Sequence, residues 1–161
     1  MENKKERKPE RITTTRNSYS GYAIEVVRKG KPTQKVAIES AEDVVAFVGG
    51  ELRLKDREHL LSIHLNVRMQ VIGVETVSIG SVDTTIVHPR EVFKGAILNG
   101  AYSIVLVHNH PSDIPEPSNA DVQVTQELIA AGRLLRLPVQ GHIIIGGENY
   151  LSMAEKGILA F

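Results

Sequence analysis

Residues 103–107, with the sequence SIVLV, form a continuous aliphatic run that strongly limits how this chain can fold. Such a run is typical of a strand buried on both faces, and strands of this kind belong to α/β proteins whose sheets are covered by helices. Polar residues, His108-Asn109-His110, follow at once. Because the ends of strands commonly open into functional loops in α/β folds, the sequence directs attention to this point.

Helical and extended patterns alternate along the rest of the chain. Ser40 is a predicted N-cap, Gly49-Gly50 a predicted helix end, and Pro89 a first-turn residue. The pattern predicts strands at 22–28, 35–38, 59–67, 71–80, 103–107, 138–147 and 149–153, and helices at 41–48, 89–98, 118–137 and the extreme C-terminus. We therefore expect an α/β fold, a single layered domain with a mixed β-sheet flanked by helices, over residues 19–161, preceded by a flexible tail at 1–18.

Composition excludes several classes of protein. The 161 residues suit one domain, and 42% hydrophobic residues suffice for a core. Without cysteine there is no disulfide, Cys-ligated zinc or thiol nucleophile. The 19 basic and 19 acidic residues cancel, so net charge does not support direct nucleic-acid binding, although a local basic patch stays open. No signal peptide and no membrane-spanning run is present, and we expect a cytoplasmic protein.

The pattern His108-x-His110, with Asp121 further along, predicts a metal site. Side chains alternate along a strand, so both imidazoles lie on one face and can converge on one ion. Asp121 falls in the first turn of the next predicted helix, where the helix dipole favours an ionised carboxylate. Two histidines and one carboxylate leave a fourth position for water, which is the arrangement of a catalytic zinc.

Simpler interpretations stay open at this stage. A histidine beside a buried strand is more often a core residue than a ligand. Ser118-x-x-Asp121 is close to a helix capping box, which needs no metal. The letters HNH do not match an HNH nuclease, whose motif is spread over several tens of positions.

The string HNHPSDIPEPSNAD resembles the JAMM motif, His-x-His-x7-Ser-x2-Asp, in the form typical of RadC-like proteins. The flanking segments VHPREVFKGAILNGAYSIVLV and AGRLLRLPVQGHIIIGGENYLSM are also similar to that group, and the resemblance covers roughly residues 40–157. It implies a JAB/MPN domain with cytidine-deaminase-like architecture. It also implies a zinc ion held by His108, His110 and Asp121, with Ser118 stabilising the oxyanion and Glu58 as the catalytic base.

The chain departs from the family pattern at three places. Asn109 stands where the peptidases carry Ser or Thr, which we interpret as a difference in substrate rather than in metal. Asp113 replaces a common Gly in the loop beside the site. Gln140-Gly141-His142 stands where Leu-Asp-His is frequent; His142 is interpreted as a satisfied strand histidine, with a role behind the metal ligands as the alternative. The helix-hairpin-helix region of larger members is not recognisable in the first 40 residues.

Three hypotheses about function follow. The first is a zinc-dependent hydrolase acting on a peptide or isopeptide bond in a peptide or protein substrate. The second is a DNA-repair or replication accessory protein that uses the metal non-catalytically. The third is a structural metal site completed by His142 or Glu58. No feature predicts the oligomeric state.

Overall fold

Residues 36–80 and 87–161 are described by a computed structural model, and these ranges contain three helices and five strands. In chain order they are α1 (Ala41–Leu52), β1 (His59–Leu65), β2 (Val71–Ile79), α2 (Pro89–Leu98), β3 (Ser103–His110), α3 (Asn119–Leu135), β4 (Val139–Gly146) and β5 (Asn149–Ser152). The strands form one sheet in the order β2-β1-β3-β4-β5. Only β3 and β4 are parallel, and the other pairs are antiparallel. The predicted α/β fold with a mixed sheet is confirmed.

The central strand β3 divides its side chains between two hydrophobic layers. Ile104 and Leu106 pack in the layer with residues of α2 and α3, whereas Val105 and Val107 pack in the layer with residues of α1. All four side chains are buried, as the uninterrupted aliphatic run predicts. Helices therefore cover both faces of the sheet, and the residues after Val107 continue the same alternation.

Helix α1 runs past the glycine pair that was predicted to end it. It continues to Leu52, which is buried in the layer that α1 shares with the sheet. Burying a leucine side chain contributes about 1.5–3 kcal/mol, which is enough to offset the cost of about 1–2 kcal/mol for two glycines inside a helix. Gly49 is buried as well, and a Cβ there would meet the Val45 side chain, one turn earlier in α1, at 3.2 Å.

The remaining predicted elements have mixed outcomes. The tail at 1–18 and the strand at 22–28 lie outside the described residues, and of the strand at 35–38 only an isolated bridge between Ala37 and Gln70 is seen. The C-terminal helix was wrong: residues 153–157 form successive turns, and Gly157 has a φ of 65° that ends them. Among the helices of the described ranges, none has the length and apolar character to cross a bilayer.

Candidate metal centre

The two histidines of the His-x-His pattern lie at the carboxyl end of β3. The strand continues through His110, so His108 and His110 share the face on which Leu106 packs against the α2 and α3 layer. His108 is completely buried, whereas the His110 side chain is 12% exposed. One histidine therefore lies inside the protein and the other borders solvent.

Asp121 reaches the same point from the first turn of α3. Ser118 is the N-cap of this helix, and its backbone N–H and hydroxyl both donate to Oδ2 of Asp121 at 2.7 Å. The other oxygen, Oδ1, lies 3.3 Å from Nε2 of His108. The capping interpretation is therefore correct, and it does not exclude a metal ligand, because Oδ1 takes no part in the capping bonds.

Among the described residues, these three side chains form one group whose donor atoms could hold a metal ion. Nε2 of His108 lies 2.9 Å from Nε2 of His110, and the latter lies 3.6 Å from Oδ2 of Asp121. Ligand atoms that surround a tetrahedral ion at zinc distances are about 3.3 Å from one another. The residues present fit such an ion, with small adjustments of the side chains.

Electrostatics favour neutral His108 and ionised Asp121. Burial lowers the pKa of His108 well below 6.5, and the positive charge that His142 would carry lowers it further. Burial alone would raise the pKa of Asp121, but hydrogen bonding to His110, attraction to His108 and the bonds from Ser118 lower it overall. The hydrogen bond to Asp121 raises the pKa of His110. A neutral imidazole and an ionised carboxylate are the forms that bind metal.

Two further buried residues lie behind His108. Nδ1 of His108 lies 2.7 Å from Nε2 of His142, and Nδ1 of His142 lies 2.6 Å from Oγ1 of Thr125. Burial lowers the pKa of His142 to about 4, so this ring is neutral at pH 7. Because His142 contacts the ring nitrogen of His108 that faces away from Asp121, it lies behind His108 and outside the group that could hold a metal ion. Its interpretation as an ordinary strand histidine was therefore incomplete, and Thr125 was missed because it carries no family motif.

Glu58 directly precedes β1, next to the end of β3. The antiparallel register places Leu60 opposite His108, and continuing it places Glu58 opposite His110. The negative charge of Glu58 is one of the causes that raise the pKa of His110, after the stronger effect of Asp121. The residue predicted as the base therefore lies close to the exposed side of the histidine pair; its role stays a prediction.

Asn109 points away from both histidines and holds the backbone around Glu58. Its side-chain oxygen accepts from the backbone N–H of His59 at 2.8 Å, and its amide donates to the carbonyl of Arg57 at 2.9 Å. The two bonded peptide groups flank Glu58. Our interpretation of Asn109 from sequence, as a difference in substrate, therefore omitted a structural role.

The loop after His110 packs closely against Gly146 of β4. The carbonyl of Ile114 lies 2.7 Å from Nδ1 of His110, which leaves Nε2 for the metal group. Asp113 adopts a φ of 62°, a left-handed conformation that Gly takes freely and that Asp and Asn tolerate better than other residues. The replacement of the usual glycine is thus compatible with this loop.

One family model and several known proteins are similar to this chain in sequence. The model of the RadC-like JAB domain matches residues 38–158. A UPF0758 protein of Caldanaerobacter subterraneus subsp. tengcongensis is 48% identical over 128 residues, covering 80% of this chain and 55% of that protein. UPF0758 proteins of Desulforamulus reducens and Bacillus mycoides are 46% and 45% identical, covering 78% and 76% of this chain and 55% of each relative. This chain thus corresponds to little more than half the length of these relatives, and their names state no activity. With the family model matched over most of its length, the chain belongs to the RadC-like JAB domain family.

Proposed function

We propose that this domain is a zinc-dependent hydrolase of peptide or isopeptide bonds. The observation that carries the proposal is the convergence of His108, His110 and Asp121 at the end of β3, with Glu58 beside the more exposed histidine. Two neutral imidazoles and one carboxylate are a donor set that zinc accepts. Three protein ligands leave a fourth coordination position open for water or substrate.

His108, His110 and Asp121 would hold the ion. When bound, zinc supplies Lewis acidity, which lowers the pKa of water and polarises a carbonyl. The chain fixes these three side chains in advance: Ser118 orients Asp121, and the Ile114 carbonyl orients His110. Such prior positioning lowers the cost of assembling the site.

Glu58 is the proposed general base. It takes the proton from the attacking water and returns it to the nitrogen of the leaving amine. Its place fits this role because it is half-buried at the mouth of the site, whereas the inner ligand His108 has no exposure. Asn109 bonds to the peptide groups on both sides of Glu58, and these bonds fix the backbone from which the Glu58 side chain extends.

Ser118 is the proposed oxyanion stabiliser. Its hydroxyl proton is directed to Oδ2 of Asp121 in this structure, so donation to a substrate requires the hydroxyl to turn. The exposed position of Ser118 allows a substrate to approach it.

Hydrolysis is tested with zinc-loaded protein and a panel of peptides and isopeptide-linked peptides, with cleavage followed by mass spectrometry. Glu58→Gln should keep zinc and lose at least about a hundredfold in rate, in line with the contribution of a positioned base. Glu51→Gln is the matched control, because Glu51 is an exposed carboxylate of α1, outside the metal group. Full activity of Glu58→Gln contradicts the assigned base. A zinc-loaded chain that cleaves nothing, yet binds DNA in a salt-dependent way, supports the accessory role instead.

A further inference from the structure

A linear set of hydrogen bonds connects His108 to the backbone of the helix that carries Asp121. It runs from Nδ1 of His108 to Nε2 of His142, from Nδ1 of His142 to Oγ1 of Thr125, and from Oγ1 of Thr125 to the carbonyl oxygen of Asp121. Thr125 and His108 have no exposed surface and His142 is 2% exposed. Because bulk solvent does not reach these atoms, each depends on its protein partner.

The last bond in this set fixes the direction of all the others. A backbone carbonyl only accepts, so the Thr125 hydroxyl must donate its one proton to the carbonyl oxygen of Asp121. The hydroxyl oxygen then accepts from Nδ1–H of His142. A neutral His142 with its proton on Nδ1 has a lone pair on Nε2, which accepts from Nδ1–H of His108. The lone pair of a neutral His108 is then on Nε2, the atom that faces His110 and Asp121.

The opposite direction is unfavourable for a local reason. It would require Thr125 to donate to His142, and the Thr125 hydroxyl oxygen and the Asp121 carbonyl oxygen would then touch with no proton between them. Two lone-pair-bearing oxygens in contact inside the protein repel each other, and a buried polar group without its bond is costly. The position of Thr125, one helical turn after Asp121, therefore selects one direction.

We propose that Thr125 and His142 are positioning residues that fix the tautomer of His108, so that Nε2 is free of a proton before metal arrives. The inference deepens the proposed function and rests on it where it concerns zinc. Metal-binding histidines in general donate their other ring N–H to a partner that sets the tautomer. Here the partner is a second histidine, whose own tautomer is set by a threonine on the helix of the third ligand.

The tautomers are measured directly in metal-free protein by long-range ¹H–¹⁵N correlation NMR, which distinguishes a protonated from an unprotonated ring nitrogen. The expected result is a proton on Nδ1 of both His108 and His142. A proton on Nε2 of either ring overturns the proposal. This measurement needs no zinc, so it stands even if the proposed function fails.

Zinc affinity, from competition with a chromogenic chelator, tests the consequence. Thr125→Val keeps the shape and removes the hydroxyl, so affinity should fall about ten- to a hundredfold, the usual effect of losing such a partner. Thr125→Ser keeps the hydroxyl, so its zinc affinity should stay within about threefold of the parent chain, because the partner of His142 is retained. Equal affinity of the Val and Ser variants, with the parent chain binding zinc, overturns the inference and leaves the proposed function standing. A parent chain that binds no zinc contradicts the proposed function instead.

A second pair keeps the test valid if Thr125→Val does not fold. His142→Gln presents a carbonyl to His108 and an amide N–H₂ to Thr125, which is the same direction of hydrogen bonding, whereas His142→Leu presents neither. We expect Gln to bind zinc at least about tenfold more tightly than Leu, as for other partners of a ligand. Equal affinities for Gln and Leu contradict the proposal.

Discussion

The side-chain oxygen of Asn109 accepts a hydrogen bond from the backbone N–H of His59 at 2.8 Å, joining the end of β3 to the start of β1. The amide of the same side chain donates to the carbonyl of Arg57. Asn109 thus holds both peptide groups around Glu58, while the histidines on either side of it point to the opposite face of the sheet. The proposed base and the proposed metal ligands of β3 are fixed in relation to each other through one short strand segment.

Removing the Asn109 side chain should loosen the segment around Glu58 and spare the metal group. In Asn109→Ala, the His59 amide loses its acceptor, so its hydrogen exchange should accelerate at least about tenfold, as expected when an ordered hydrogen bond opens. Zinc affinity should change less than about threefold, since Asn109 is not among the ligands and a lost ligand partner costs more than that.

Asn66→Ala serves as the control for this effect. Asn66 accepts hydrogen bonds from Arg68 and Gln70 in the turn between β1 and β2, far along β1 from His59. It should leave exchange at His59 unchanged. Unchanged exchange in Asn109→Ala as well would show that Asn109 does not hold this backbone.

Gly146 is a close-approach position that links β4 to the loop beside His110. A Cβ atom there would lie 2.6 Å from the Pro115 nitrogen and 2.7 Å from the Ile114 carbonyl carbon, both of which are backbone atoms. In Gly146→Ala the loop must shift, which should lower the free energy of unfolding by about 1–3 kcal/mol. The shift should also weaken zinc binding, because the Ile114 carbonyl contacts His110.

Gly141→Ala on the same strand is a matched control. Its Cβ would meet only the end of the Ile143 side chain, at 4.0 Å. Chelator competition and denaturant unfolding should give values close to those of the parent chain for Gly141→Ala. If Gly146→Ala were equally neutral in both measurements, the loop would not need this close approach.

His64 makes stability depend on pH at a point outside the metal group. Burial lowers the pKa of His64 to about 4, from an ordinary value of 6.5. Between these values the unfolded chain binds a proton that the folded chain does not, so the free energy of unfolding falls as the pH drops from about 6.5 to about 4. The contribution is fully present above this window, and one proton gives at most about 1.4 kcal/mol per pH unit.

The measurement is denaturant unfolding of the parent chain and His64→Leu across this pH range, with a chelator present. The decline should be shallower in His64→Leu. Asn99, which hydrogen-bonds His64, is exposed and can bond to water in the variant. Identical slopes would show that His64 does not carry this dependence.

Local sequence patterns predicted much of the fold because they report local chemistry. The aliphatic run of β3 and the proline at the start of α2 are each visible within a few consecutive residues, and both predictions are confirmed. The glycine pair in α1 misled because the burial of Leu52, a tertiary effect, outweighs the local preference.

The candidate site was only partly predictable for the same reason. The spacing along the sequence predicted that His108, His110 and Asp121 lie together. It could not reveal that Asp121 caps α3 with one oxygen and faces His108 with the other. The place of His142 depends on the parallel register that pairs it with Leu106, across two strands that the whole of α3 separates in sequence. The local sequence patterns around Leu106 and His142 do not predict this pairing.

The central claim is a metal ion held by His108, His110 and Asp121, and zinc content tests it most directly. Ser40 and Asp43 of α1 form the same capping box as Ser118 and Asp121, away from the histidines. Asp43→Ala and Asp121→Ala therefore each lose the N3 side chain of a capping box and keep the serine N-cap.

Elemental analysis after zinc loading and exhaustive dialysis should find about one zinc per chain in the parent protein and in Asp43→Ala, and almost none in a folded Asp121→Ala, because only Asp121 adds a ligand. Full zinc content in Asp121→Ala would contradict the account.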